Sequence, residues 1–466
     1  MAKVLFFDPP TRMDVYRTTN VRVGAPNYPS LTLATLAGNL LNGHDARIVD
    51  LDSVNNYYEY LFKEIESFKP DMIASSTITP TYFMARNILS KIKEKSPHIK
   101  TVIGGVHITA SPEDIYKENC FDIIAIGEGD TVIPELLSAS DINNVPGVIY
   151  KDSISGKMIQ TPTRKLIDDL NSLPYPAWGL FRLSKYKHSR LSSRKNPVGL
   201  IETSRGCAFQ CNFCNKLIFG TVHRTKDPKR VVDEMEYMLK CGFKEIHIAD
   251  DSFTQRIDRA KEVCVEIMRR NLKFPWSLLN GVRTDMVDLE FFQLAKKAGC
   301  WQVGFGIESG DQNVLNKVNK RITLAQNENA TKMAEKAGMD TLGFFILALS
   351  GETEESMART IEFAKSLPLS IAKFNICIPY PGTPYYNELM MEGRINSKDW
   401  SRYNCHRSED PLFNHPNVDW ATINVYYKKA FREFYLRPSY IKRRFIRSLK
   451  MGDLFYDAGY FLRSKW

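Results

Sequence analysis

The chain has 466 residues, 43% of them hydrophobic and 25% charged, with a net charge of +10. That length exceeds one ordinary domain, and the balance of apolar and charged residues excludes a disordered or fibrous chain. No run of 18 apolar residues occurs, and M-A-K-V-L-F-F-D-P-P opens as a strand, so neither a spanning helix nor a signal peptide is expected. Eleven Lys/Arg against three Asp/Glu lie between Lys428 and Trp466, a local net of +8. The body is therefore nearly neutral, and a nucleic-acid role is not indicated.

Residues 1–140 alternate strands and helices. Strands are predicted at 3–8, 46–52, 71–77, 100–105 and 122–126, with helices at 30–41, 57–68 and 82–95. Continuous apolar strands in such an alternation predict a parallel sheet covered on both faces. Ligands bind such sheets beyond the carboxyl ends of the strands. Ser75, Ser76, Thr77, Gly104, Gly105, Gly127 and Gly129 gather there. No G-x-G-x-x-G occurs, so a dinucleotide site is not supported. Residues 141–195 read as a linker, with the Pro-rich L-P-Y-P-A-W-G-L-F at 173–181 unlike regular structure.

A second series begins at Val198. Strands are predicted at 198–203, 245–249, 276–280, 303–307, 341–349 and 371–378, with helices at 228–241, 257–270, 289–298, 324–337 and 354–367. Six β/α units make an open barrel, whose site is expected at the strand C-termini. Those ends carry Cys, Asp250–Asp251, Arg283, Glu308–Ser309 and S-G-E-T. One such acid is often only a helix cap, but five polar strand ends in a row are harder to dismiss.

The first of these ends leads into T-S-R-G-C-A-F-Q-C-N-F-C, where Cys207, Cys211 and Cys214 stand in C-x3-C-x2-C spacing. Iron–sulfur clusters are held by Cys thiolates, usually four. Three thiolates in one loop leave one iron of a cubane open to another ligand. A zinc site would need a fourth Cys or His in the same small module, and the nearest is His223, nine residues beyond the last Cys. Three inert thiols in a turn are the plain alternative. The other six Cys (120, 241, 264, 300, 377 and 405) are scattered singly, as in a reducing cytoplasm.

The triad, with Phe213 before its last Cys, resembles the radical S-adenosylmethionine (SAM) superfamily. I-A-D-D-S-F-T at 248–254, G-F-G-I-E-S-G at 304–310, G-F-F-I-L-A-L-S-G-E-T at 343–353 and P-Y-P-G-T-P at 379–384 follow in that family's order. The resemblance spans about residues 196–390. It implies a [4Fe–4S] cluster on Cys207, Cys211 and Cys214, with SAM on the free iron. It also implies Phe213 beside the adenine, Asp250 and Asp251 near the SAM amino group, Glu308 and Ser309 at the ribose, and Arg283 at the carboxylate. Ser350 departs from the family's usual Pro and leaves that turn's shape open.

V-I-G-G-V-H-I-T at 102–109 and A-I-G-E-G-D at 125–130 resemble the loops that cradle the nucleotide tail in cobalamin-dependent radical SAM enzymes. The resemblance implies cobalamin contacts at Ser76, Thr77, Gly104, Gly105, His107, Gly127, Glu128 and Gly129. A cobalamin-free relict with the same sheet is the alternative. The signature D-x-H-x-x-G is absent, so no His ligand to cobalt is expected from it, and Arg12 or Asn20 is a candidate for the lower face. The implied fold class is α/β. It comprises a Rossmann-like cobalamin-binding domain at 1–140, the linker at 141–195, a partial (β/α)6 radical SAM barrel at 196–390 and a basic, mostly helical extension at 391–466.

The extension contains Y-I-K-R-R-F-I-R-S-L-K-M at 440–451, with Ile441, Phe445 and Leu449 on one helical face. Lys442, Arg443, Arg444, Arg447 and Lys450 fill much of the rest. A basic amphipathic helix suits an anionic membrane surface, and a helix capping the barrel mouth is the alternative. F-R-E-F-Y-L-R-P before it resembles the C-terminal region of relatives acting on hopanoids and chlorophyll-type pigments. The expected activity is C-methylation of an unactivated carbon in a hydrophobic, lipid- or pigment-like small molecule. The route would be a 5′-deoxyadenosyl radical and methylcobalamin, with flavodoxin or ferredoxin as electron donor. The location would be cytoplasmic, with peripheral contact on the inner face of the membrane. Alternatives are a cyclase or rearrangement enzyme with the same cofactors and a non-catalytic cobalamin-binding protein. A methylthiotransferase would need a second Cys cluster.

Overall fold

In K-V-L-F-F-D four successive apolar residues, Val4 to Phe7, are all fully buried. A strand covered on both faces buries consecutive side chains in this way. This is β1 (Lys3–Asp8) of a seven-stranded sheet in a computed structural model, which describes residues 1–10, 27–152, 154–405, 411–456 and 459. The sheet continues with β2 (Asp45–Asp50), β3 (Met72–Ser76), β4 (Lys100–Gly104), β5 (Ile123–Ala125), β6 (Val148–Lys151) and β7 (Met158–Gln160), in the order β2-β1-β3-β4-β5-β6-β7. The first five strands are parallel. The last two pair antiparallel and lie inside the stretch expected to be a linker. Their short V-I-Y-K and M-I-Q runs carry little periodicity of their own. Pairing against β5 is what buries Val148 and Ile149.

The second sheet is parallel throughout and in sequence order: β8 (Val198–Ile201), β11 (Glu245–Ile248), β12 (Trp276–Val282), β13 (Cys300–Glu308), β14 (Asp340–Leu347) and β15 (Ile371–Ile376). A two-stranded ribbon of β9 (Ser204–Arg205) and β10 (Arg224–Thr225) flanks the triad loop. The intervening helices begin and end where local chemistry dictates. Pro228 occupies the first turn of the helix Pro228–Cys241, and Gly242, at φ 109°, closes it. Thr323 with Gln326, and Thr353 with Ser356, form capping boxes. The five parallel strands of the first sheet end on one side, as do the six of the second, and the two sets of carboxyl ends face one another.

Two helices, Trp420–Tyr435 and Pro438–Met451, complete the fold. The first buries Phe431 and Phe434 against Phe374 of β15. The second is seated at the amino ends of the barrel strands, not over the mouth. Arg447 pairs with Asp340 at the start of β14, Arg443 donates to the Leu369 carbonyl, and Tyr440 donates to the Ser370 carbonyl. Part of its cationic face is therefore turned inward, while Ile441, Phe445 and Leu449 are 44%, 52% and 54% exposed. Among the described residues no helix is long and apolar enough to cross a membrane.

Candidate active site between two facing sheets

A cavity of about 740 Å³ lies between the two sets of strand ends. That is the upper part of the range for small-molecule sites. From the first sheet it is lined by Ser76, Thr77, Gly104, Gly105, Gly127, Glu128 and Gly129, seven of the eight residues expected there. From the barrel come Cys207, Cys214 and Asp251. The first sheet's order places this wall beside the β1/β3 switch point, where doubly wound sheets bind ligands.

The glycine wall is locally determined. Gly105 has φ 105°, and a Cβ there would stand 2.4 Å from the Thr77 carbonyl oxygen. Gly127 has φ 82° with nothing within 4 Å of a Cβ. Its amide donates to Thr109 Oγ1 at 3.1 Å. Thr77 Oγ1 donates to the Gly104 carbonyl at 3.2 Å.

His107 is the exception. Its ring is fully buried, 4.7 Å from Tyr82 and 5.1 Å from Trp400 between ring centres, and neither ring nitrogen has a hydrogen-bond partner among the described residues. Burial lowers its pKa to about 4. It is not a wall residue. The helix Val106–Ala110 turns this side chain inward and leaves Val106 on the cavity. Arg12 and Asn20 lie outside the described residues.

The triad loop is pinned at both ends. Gly206, at φ 82°, faces Val222, whose carbonyl oxygen would stand 2.3 Å from a Cβ. Asn319 donates to the Gln210 carbonyl at 2.9 Å, the Asn212 amide donates to the Val318 carbonyl at 3.1 Å, and Asn215 reaches the Pro381 carbonyl at 2.8 Å. The P-Y-P-G-T-P turn thus serves as a strut for the cysteines. The Arg283 guanidinium stacks 3.5 Å over Phe209, between the first two cysteines. It is otherwise committed to Asp285, at 3.0 Å, and to the Lys320 carbonyl. Its place is under the loop, not on the cavity wall.

The two aspartates at the end of β11 divide their work. Asp250 accepts from the Thr203 amide, Thr203 Oγ1 and Ser204 Oγ at 2.5–2.6 Å and is spent on that turn. Asp251 faces the cavity, accepts from the Gly206 amide at 3.3 Å, and is pushed by burial above the usual carboxylate range. Glu308, at φ 65°, pairs with Lys320 at 2.7 Å. Ser309 is fully buried, bonded to Thr360 and to the Asp311 amide. Phe213 packs against the barrel core. Neither Phe213, Glu308 nor Ser309 lines the cavity.

Three cations missed in the sequence complete the arrangement. Lys216 lines the cavity and donates to the carbonyls of Cys207 and Phe209. Arg205, beside the triad in S-R-G-C, grips both oxygens of Asp130 at 2.9 Å and Glu202 at 2.6 Å. Arg224 grips Glu128 at 2.7 and 3.1 Å. The signal available was the spacing G-E-G-D, two acids in a glycine loop, opposite a lone Arg before the first Cys.

All three thiols are free, and among the described residues no three His, Cys, Asp or Glu side chains stand at metal-holding distances. The donor set nonetheless suits a [4Fe–4S] cluster. Three thiols share one loop, and Cys207 and Cys211 are near enough to raise the charge cost at Cys214. At Cys211 the cations Lys320, Arg283 and Lys216 offset part of the cost of burial. Burial holds Cys211 and Cys214 above the usual thiol range, Cys214 at about 11. The glycine cradle suits a bulky tail approaching backbone, and Asp251 suits an ammonium.

Comparison with known proteins matches two family models to separate stretches of the chain. Residues 17–137 match the model of a B12 binding domain, and residues 201–364 that of the radical SAM superfamily. An uncharacterised methyltransferase of Pyrococcus horikoshii, PH0819, is 31% identical over 99% of this chain and 96% of its own length. An anaerobic magnesium-protoporphyrin IX monomethyl ester cyclase of Rubrivivax gelatinosus is 30% identical over 93% of this chain and 81% of its own length. Among solved structures, the radical SAM methyltransferase TsrM of Kitasatospora setae, with cobalamin and a [4Fe–4S] cluster bound, superposes with a TM-score of 0.67. It does so at 20% identity, over 84% of this chain and 75% of that one.

Proposed function

This chain belongs to the cobalamin-dependent radical SAM enzymes, and from that premise we propose that it is a C-methyltransferase acting on an unactivated carbon of a hydrophobic small molecule. The observation that carries the reading is the single cavity walled by Cys207, Cys214 and Asp251 on one side and by Thr77, Gly105 and Gly127 on the other. Two cofactors held on those walls would meet across it. When bound, the cluster with SAM supplies a radical able to abstract hydrogen, and the corrinoid supplies a transferable methyl group.

The chain's own part is positioning. Asp251 holds an ammonium, Lys216 and the Arg283–Phe209 stack keep the triad loop in place, and Gly105 lets the first-sheet backbone approach its ligand. Ile78, Val106, Ile218 and Phe219 give the cavity an apolar share that excludes water and suits an apolar substrate. A one-electron donor of the flavodoxin or ferredoxin type would reduce the cluster.

A second reading is supported by the cyclase relative, 30% identical over 93% of this chain: the same cofactors without methyl transfer. The test is anaerobic reconstitution with iron, sulfide, cobalamin, reductant and SAM, offered candidate substrates. Comparable S-adenosylhomocysteine and 5′-deoxyadenosine support methyl transfer. 5′-Deoxyadenosine alone, with a cyclised or rearranged product, replaces it with the second reading.

A further inference from the structure

Alternation along β14 and β15 assigns their faces. Phe345 and Phe374 stack at 5.2 Å, and Phe374 meets Phe431 at 5.4 Å, so this face packs on helix. Successive strand residues point to opposite sides. Phe344 and Ile346 of β14, and Lys373 and Asn375 of β15, therefore face the concave side of the sheet. The register sets Phe344 beside Lys373 and Ile346 beside Asn375. All four are partly exposed, whereas Phe345, Leu347, Phe374 and Ile376 between them are buried. The concave side is therefore partly open to solvent rather than completely filled core. Gly304 keeps it so: a Cβ there would meet the Phe344 ring at 2.8 Å.

Within this apolar trough Lys373 stands without an ion pair or hydrogen bond among the described residues. Its described neighbours are the Phe344 ring, 5.9 Å from Nζ to the ring centre, and the Cys405 thiol. Burial lowers its pKa. Asn375, two residues on and on the same face, makes no side-chain hydrogen bond among the described residues, so its amide Nδ2 can donate to a ligand. Other charged groups at the mouth of this barrel have polar partners: Glu308 with Lys320, Arg283 with Asp285, Asp250 with Thr203 and Ser204, and Asp251 with the Gly206 amide. An ammonium partly withdrawn from water with no counter-charge beside it is costly. The cost is recovered when an anion binds there, through bonds stronger than neutral ones.

We propose that Lys373 and Asn375 form an anion-binding subsite in the barrel lumen, which takes the carboxylate or phosphate head of an amphipathic substrate whose apolar body lies on Phe344 and Ile346. This rests on the function proposed above and names its substrate class. Lys373 is here a binding residue, apart from the residues assigned to the cofactors.

The full-length reconstituted protein is titrated with dodecanoate, dodecyl phosphate and, as the neutral probe, dodecanol. At least one anion is expected to bind about tenfold or more tighter than dodecanol. Lys373→Met is expected to abolish that preference while leaving dodecanol binding unchanged, and Lys373→Arg to keep it. Dodecanoate against dodecyl phosphate decides which head is taken. Equal binding of all three probes, or a preference that survives in Lys373→Met, overturns the proposal. Cluster and corrin absorbance of the same samples are read separately. A chain that loads neither cofactor speaks against the proposed function, whereas a loaded chain with no anion preference speaks against this subsite alone.

Discussion

Cys211 is half-buried behind the triad loop, close to Lys320, Arg283 and Lys216, while Cys207 and Cys214 reach the cavity. Cys211→Ala is expected to lose cluster absorbance and all 5′-deoxyadenosine in the reconstituted protein, and retained SAM cleavage would overturn the cluster assignment. Glu352, in the S-G-E-T turn, is a second informative residue. It is fully buried, accepts from the Leu349 amide at 3.0 Å, and is raised by burial to about 8. The native state therefore holds a proton there that the unfolded chain releases above its ordinary value of 4.5. Folding stability attributable to Glu352 is present below that value and is lost as pH rises towards 8, with a limiting slope of about 1.4 kcal/mol per pH unit. Glu352→Gln is expected to flatten this part of the stability–pH profile, measured by denaturant unfolding between the two values. An unchanged slope would show that the carboxyl titrates normally.

Strands and helices of the two alternating series were legible because period and caps agree. The helices Tyr57–Phe68, Tyr82–Lys95 and Pro228–Cys241 fall where the pattern predicts them. β6 and β7 were not legible, since three or four residues in a polar stretch acquire strand character only from the neighbour they pair with. The last helix shows the limit more sharply. Its composition was readable as basic and amphipathic, but not which face meets the protein. Arg447 and Tyr440 hold it to the barrel, and the apolar stripe is left outward with exposed Lys442 beside it. Apolar side chains flanked by cations fit an anionic lipid surface. Phe445→Glu with Leu449→Glu is expected to weaken co-sedimentation with phosphatidylserine vesicles at low salt by about tenfold or more. Sedimentation equal to wild type would remove the membrane reading and leave the helix a brace for the barrel base.

At the scale of the whole molecule, the two sheets are joined around the cavity by a buried charge network. Arg205 bridges Glu202, Asp130 and Glu128, and Arg224 returns to Glu128, whose side chain is fully buried. Removing one member of a buried pair strands its partner's charge, at about 3–5 kcal/mol. Glu128→Gln is expected to destabilise the chain by that order in guanidinium unfolding and to loosen cobalamin retention on gel filtration. A loss under about 1 kcal/mol would mean that the network does not hold the two sheets together.

The sequence by itself determined the two α/β series, the cysteine triad and the glycine loops, because strand periodicity, helix caps and ligand spacing are local and repeat within a few residues. Only the tertiary structure decided which of those residues meet. Asp250 and Asp251 are neighbours in sequence, yet one is spent on a turn and the other faces the cavity. His107 sits in a glycine loop and still points into aromatic core. Arg205 and Glu128 are 77 positions apart and join only when the two sheets face each other. Side-chain direction and long-range pairing depend on how the elements pack, and no local pattern carries that information.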